Sequence, residues 1–196
     1  MSKRLILASA SPRRREILST AGYDFEIVAS NADEISDGSS AAEVARINAL
    51  AKAREVLLRG TDERVVVGAD TVVACDGSIL GKPRDESDAF AMIKSLSGKK
   101  HSVITGYAVV SKDGEESGYC STEVEFRTLS DGEIRDYVAT GEPMDKAGAY
   151  GIQERASIFV SSLEGDFFNV VGLPVAKLYK PLKKFGILPK WQKDVE

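Results

Sequence analysis

Cysteine is scarce in this 196-residue chain. Cys75 and Cys120 stand far apart and form no CxxC pair. That argues against a zinc site built on them and suggests no disulfide framework, so both read as reduced thiols. Histidine is scarcer still: His101 is the only one, opens a strand and has no companion, and it reads as structural. There is no GxGxxG and no GxxxxGK[ST], so neither dinucleotide nor P-loop chemistry is supported. No apolar run approaches a membrane span, and the run from Leu5 to Ala8 is too short for the core of a signal peptide. Cytoplasmic residence is the default expectation, with no membrane partner. A basic surplus is also missing: the net charge is -4 and the pI about 5.3. A protein working on nucleic-acid backbones would usually be basic, so no nucleic-acid partner is expected. A small polyanionic ligand remains compatible, because local positive charge and a bound metal can coexist with a mildly acidic total.

What is present is an ordinary globular composition, 43% hydrophobic and 29% charged, which is wrong for a disordered chain. The length of residues 1–196 suits one substantial domain or two closely packed lobes. Strand-like and helix-like segments alternate, which predicts an α/β fold. Strands are expected at Leu5 to Ala8, Phe25 to Ala29 and Val65 to Ala74, the last turning at Asp76-Gly77. Two long strands, His101 to Ser111 and Gly118 to Thr128, follow one another around Asp113-Gly114. Ile158 to Leu163 and Phe167 to Val171 read as a closing hairpin around Gly165. Helices are expected from Pro12 to Ala21, from Ser40 toward Leu57, from Glu86 to Leu96, from Ser130 to Gly141 and from Pro174, with Pro181 ending or kinking the last. The tail after about residue 186 is either loosely ordered or docked on the body. Long antiparallel strands among parallel ones make the sheet mixed.

Some segments conflict with their own local physics, and functional sites tolerate such conflict. The helix at Pro12 begins with Arg13, Arg14 and Arg15, where the helix dipole favours acidic residues. A bound anion would reverse the conflict, with Ser9, Ser11, free N–H groups and guanidinium forks converging on phosphate oxygens. A solvated basic helix end is the plainer alternative. Asp70 interrupts the β-branched run Val65 to Val73, and an acid there is expensive if buried and unpaired. Gly68 lets another group approach the backbone beside it. Asp70 could instead sit at the strand end and cap a turn. Lys82, in Gly81-Lys82-Pro83-Arg84, faces a phosphate or is simply an exposed turn lysine. Lys52 lies on a helix of alanines and leucines and could be a solvated face. Glu34 belongs to an acidic loop and says little alone. The stretch Asp145 to Gln153 has glycines at 148 and 151 that permit close approach of a ligand, and the Gln153 amide can read a base edge. A tight turn would account for the glycines equally well.

Taken together, these segments resemble the Maf family of nucleoside triphosphate pyrophosphatases. The motifs carrying the resemblance are Leu7-Ala8-Ser9-Ala10-Ser11-Pro12-Arg13-Arg14, Gly68-Ala69-Asp70-Thr71-Val72-Val73, Gly81-Lys82-Pro83-Arg84, Ser97-Gly98, Thr105-Gly106, Asp145 to Gln153, and Asn169 to Pro174. Their number and order are specific where each alone is not. The resemblance implies an elongated mixed sheet with flanking helices and two lobes around a cleft, like the inosine triphosphate pyrophosphatases. It implies hydrolysis of a nucleoside triphosphate to the monophosphate and pyrophosphate with a divalent cation. The aspartate matching Asp70 is the family's general base, and positions matching Arg13, Thr71 and Gln153 choose the base. Their Arg/Thr/Gln combination is similar to the branch acting on dTTP and UTP, and modified pyrimidine nucleotides remain open as substrates.

On that footing Asp70 and Glu34 would hold Mg²⁺ or Mn²⁺. Arg13, Arg14, Lys52 and Lys82 would neutralise phosphates, and Ser9 would add a donor. Thr71 and Gln153 would read the O4 and N3 edge of thymine or uracil. A homodimer is compatible with the sequence, although no exposed apolar stripe is legible. Two other classes compete: a non-catalytic nucleotide-binding regulator, since family members have been linked to arrest of cell division and septum formation, and a phosphomonoesterase.

Overall fold

The computed structural model describes residues 3–36, 38, 40–60 and 63–192. In chain order its elements are β1 (Arg4–Leu7), α1 (Pro12–Thr20), β2 (Glu26–Ile27), α2 (Ala41–Leu58), β3 (Arg64–Cys75), β4 (Ser78–Leu80), α3 (Glu86–Leu96), β5 (Lys100–Ser111), β6 (Gly114–Phe126), α4 (Asp131–Val138), β7 (Val160–Glu164), α5 (Phe167–Val171) and α6 (Val175–Lys184). Short 3-10 turns lie at Glu142–Asp145, Ala147–Ala149 and Arg155–Phe159. The strands form one seven-stranded sheet in the order β2-β1-β3-β5-β6-β7, with β4 added on β3. β1 pairs in parallel with β2 and β3, whereas β3–β4 and β6–β7 are antiparallel. The sheet is therefore mixed, as the sequence predicts.

The chain folds into two compact units. The first comprises residues 1–70, 105–120 and 172–196. Its core joins Ile6 and Ala8 of the β1 segment, Val66 of β3, Ala108 and Val110 of β5, and Ala49, Ala53 and Val56 of α2. Leu5, Ile6 and Leu7 are all buried, as an interior parallel strand covered on both faces requires. Gly68 and Gly106 decide how α2 lies here. A Cβ on Gly68 would stand 2.1 Å from the Ala49 carbonyl oxygen, and one on Gly106 would stand 2.1 Å from that of Ala45. Only hydrogen at these two positions lets the helix backbone touch the strands. The close approach that Gly68 predicts is real, and α2 makes it.

The second unit comprises residues 71–104 and 121–171. Its core gathers Ile93 and Leu96 of α3, Val103, Val124, Phe126, Ile134 and Tyr137 of α4, Tyr150 and Phe159. Asp76 and Gly77, at φ 49° and 77°, form the two-residue turn between β3 and β4. β6 alternates over its second half: Thr122, Val124 and Phe126 are buried, and Ser121 and Glu123 are exposed. Ser130 and Glu133 cap each other's backbone at the start of α4.

Three expectations are corrected. Phe167–Val171 is a short helix, not the second arm of a hairpin. The Asp166 carboxylate accepts from the N–H groups of Phe168 and Asn169 and so starts the turn. Asn169 is then buried, donating to the Val103 carbonyl and Thr122 Oγ1 at 2.9 Å each. The strand before it is also shorter, because Ile158 and Phe159 belong to the preceding 3-10 turn. Lastly, Pro181 does not end the last helix: it lies inside α6, which continues to Lys184. The tail docks within the first unit: Trp191 Nε1 donates to the Ala21 carbonyl at 2.9 Å, and Lys190 N to that of Gly22 at 2.8 Å.

Candidate active site

The first unit assembles most of the expected site residues around the middle of β3. Asp70 has six strand residues before it and five after, and it is 7% exposed. This excludes a strand-end cap. Burial of the carboxylate is matched by two donors on α2: Asn48 Nδ2 gives to Oδ2 at 3.0 Å and Lys52 Nζ to Oδ1 at 2.6 Å. Lys52 also reaches Glu34 Oε1 at 2.6 Å. Lys52 is thus no solvated helix face. Its side chain is 13% exposed, and its ammonium stands between two carboxylates. Asn48 and Lys52 are four residues apart on the helix that Gly68 and Gly106 admit, so one face presents both to Asp70.

At the start of α1, Ser11 is the N-cap and Pro12 the first helical residue, with no acid in the first turn. Ser9 is buried, and its Oγ accepts from Ser11 N and from Arg14 Nη1, both at 3.2 Å. With both lone pairs engaged, the Ser9 hydroxyl proton is the part left to donate. The Arg14 guanidinium also spans two backbone carbonyls, Ala69 at 2.9 Å from Nη1 and Gly172 at 2.8 Å from Nε. Burial lowers the Arg14 pKa, the Asp70 charge opposes that, and neighbouring Arg13 adds to it. Arg13 is half-buried and Arg15 exposed, so the three arginines are not equivalent.

In the second unit Thr71 follows Asp70 in β3 and is half-buried. Lys82 and Gln153 are exposed and make no hydrogen bond or ion pair with the described residues. Their two loops are joined by a bond from Gly148 N to the Gly81 carbonyl at 3.0 Å. At both glycines the space a side chain would take is filled by the protein itself. A Cβ on Gly148 would meet the Val73 side chain at 2.8 Å, and one on Gly151 would meet the Lys146 stem at 2.7 Å. Lys146 is 6% exposed, and Nζ binds the Glu142 carbonyl, Asp145 and Glu154 at 2.7, 2.9 and 3.0 Å. It braces the turn that ends at Gln153.

Sequence reasoning missed Asn48 and Lys146. The i, i+4 spacing of Asn48 to Lys52 is the signal that would have found the first. Among the described residues no cluster of three or more His, Cys, Asp or Glu could hold a metal ion. Glu34 and Asp70 nevertheless suit one that completes its coordination elsewhere. Mg²⁺ commonly takes one or two carboxylates and fills its shell with water and substrate phosphates. The Lys52 ammonium, 2.6 Å from each carboxylate, shows that both can serve one cation. No helix among the described residues is long and apolar enough to cross a membrane.

The chain is 50% identical over 186 residues to a Bacillus pumilus protein named dTTP/UTP pyrophosphatase, covering 94% of this chain and 98% of that one. It is 52% identical over 187 residues to a Thermococcus gammatolerans protein of the same name, covering 93% and 96%. Among solved structures it is similar to the Staphylococcus aureus Ham1 protein, with 13% identity, a TM-score of 0.46 and coverage of 63% and 72%. The Maf-like protein profile matches residues 4–185, and this chain belongs to the Maf family.

Proposed function

We propose that this chain hydrolyses dTTP and UTP to the monophosphate and pyrophosphate, with Asp70 as general base and a divalent cation held by Glu34 and Asp70. One observation carries the reading. In a chain half identical to named dTTP/UTP pyrophosphatases, a buried mid-strand carboxylate is ion-paired through one lysine to a second carboxylate. A water oxygen attacks the α-phosphorus, and its proton passes to Asp70. The bond from that phosphorus to the bridging oxygen breaks, and pyrophosphate leaves with the electron pair. The cation, when bound, supplies Lewis-acid neutralisation of the phosphates. Arg13, Arg14, Lys52 and Lys82 offset further negative charge, and the Ser9 hydroxyl donates to a phosphate oxygen. Arg14 Nε and Nη1 are engaged by the Gly172 and Ala69 carbonyls and the Ser9 hydroxyl, so its part is chiefly charge. Arg13, Thr71 and Gln153 choose the base. Gln153 both donates and accepts, matching the N3–H and O4 of thymine and uracil. Cytosine reverses that pattern, which is expected to cost CTP roughly a factor of 10 to 100.

The test is a panel of nucleoside triphosphates, modified pyrimidines included, with Mg²⁺ or Mn²⁺ and chromatographic identification of products. Pyrophosphate and the monophosphate are expected from dTTP and UTP, and none after chelation of the metal. Orthophosphate and diphosphate as primary products would overturn the assignment. For Asp70→Asn, turnover is expected to fall by about 10²-fold or more with nucleotide binding retained. Near-normal turnover in that variant would remove Asp70 from its role.

A further inference from the structure

Asn48 is 3% exposed and lies one helical turn before Lys52 on α2. Both ends of its amide are in use. Oδ1 accepts from Ile35 N at 2.9 Å, while Nδ2 donates to the Ile35 carbonyl at 2.9 Å and to Asp70 Oδ2 at 3.0 Å. The orientation is unambiguous. Turning the amide over would set its oxygen against a carbonyl and a carboxylate and its NH₂ against an N–H. The two bonds to Ile35 reproduce what a neighbouring strand would offer its backbone. The residue beside Glu34 is therefore held by a side chain as firmly as by a ladder. The third bond carries that restraint to Asp70.

We propose that Asn48 is a positioning residue for the reaction assigned above, fixing the Asp70 carboxylate and the backbone of the Glu34 loop to one another. The inference rests on the reading of Asp70 as base and Glu34 as metal ligand. It also distinguishes the two oxygens of Asp70. Oδ2 faces a neutral donor anchored by two further bonds. Among the described residues Oδ1 meets the Lys52 ammonium, at the end of a flexible four-carbon stem. Asn48 thereby leaves Oδ1 as the working oxygen, the one that meets a cation or a proton when Lys52 swings aside. A buried asparagine that merely satisfied the loop would affect folding alone and leave catalysis and cation binding untouched.

Three variants separate these roles: Asn48→Leu, Asp70→Asn and the double variant, each checked for folding by circular dichroism. In Asn48→Leu, kcat on dTTP is expected to fall by about 10 to 100-fold with KM changed by less than about threefold. Mn²⁺ binding to the nucleotide-free protein, read by electron paramagnetic resonance, is expected to weaken about tenfold. In the Asp70→Asn background, Asn48→Leu is expected to change the residual kcat by less than about threefold, since its effect passes through Asp70. Normal kcat and normal Mn²⁺ affinity in folded Asn48→Leu, beside an inactive Asp70→Asn, would overturn the role of Asn48 alone. An undiminished Asp70→Asn would overturn the reading of Asp70 and the Asn48 role with it. A fully additive loss in the double variant would show that Asn48 does not act through Asp70. If Asn48→Leu does not fold, Asn48→Ser, which keeps a hydroxyl and admits water, carries the same comparison.

Discussion

His101 shows how a single residue can make stability depend on pH. It is buried, its Nε2 lies 2.8 Å from the Tyr150 hydroxyl, and its ring meets Phe126 and Tyr150 edge to face. Burial lowers its pKa from 6.5 to about 4. The unfolded chain therefore binds the proton more readily. The contribution to stability is complete above pH 6.5 and is lost as pH falls through the folded value, amounting to about 3 kcal/mol. Urea midpoints between pH 7 and pH 4.5 are expected to fall less steeply in His101→Asn than in the parent, because only the parent carries this linkage. Lys52 gives a second residue-scale expectation. Lys52→Met leaves buried Asp70 without its ammonium and removes the charge shared with Glu34, which is expected to lower stability. Mg²⁺ is expected to raise the melting temperature of this variant more than that of the parent, because the cation replaces the lost charge. Equal shifts would argue against a cation between those two carboxylates. Asp70 was legible from sequence because a charge in a β-branched run breaks a strong pattern. Asn48 was not, since one polar residue among the mixed charged and apolar residues of α2 breaks no pattern. The task of Arg14 was also hidden, because a guanidinium bound to two carbonyls has the same letter as one bound to phosphate.

At the scale of elements, α2 matters most. Its place on the sheet depends on two absent methyl groups. Gly106→Ala would drive a Cβ into the Ala45 carbonyl, displacing the helix or distorting β5, at a cost of about 1–3 kcal/mol or more. Since Asn48 and Lys52 ride on that helix, kcat is expected to fall along with stability. A denaturation curve and a rate measurement on the same sample check this, and a stability loss without any loss of rate would mean that α2 tolerates the shift. Most elements were legible where periodicity and punctuation agreed, as in β6 and α4. They failed at α5, where Phe-Phe-Asn-Val-Val has the composition of a strand. The Asp166 carboxylate starts a turn of helix through the nearby Phe168 and Asn169 N–H groups, and buried Asn169 ties it to Val103 and Thr122, more than 40 positions away. Pro181 does not end α6: the bond its missing N–H forfeits is the one back to Lys177, and Phe185 N still bonds the Pro181 carbonyl at 3.2 Å.

At the scale of the molecule, the two compact units are not consecutive lengths of chain. The divisions fall between Asp70 and Thr71 and between Ile104 and Thr105, inside β3 and β5, and again inside β6. Each core draws on segments separated by at least 16 residues of the other unit. A cut after residue 120 strips the first unit of residues 172–196, with buried Leu178 and Leu182 and the Gly172 carbonyl that Arg14 binds, so a fragment of residues 1–120 is expected to lose structure by circular dichroism. Such long-range assembly lies beyond periodicity, which reports only neighbours along the chain. The docked tail has a practical consequence of another kind. Trp191 is the chain's only tryptophan, and it sits on the end of α1, 68% exposed, outside both cores. Intrinsic fluorescence is therefore an optical gauge of one anchorage. A melt followed by emission would time the release of the tail, and only absorbance or ellipticity would time the collapse of the sheet.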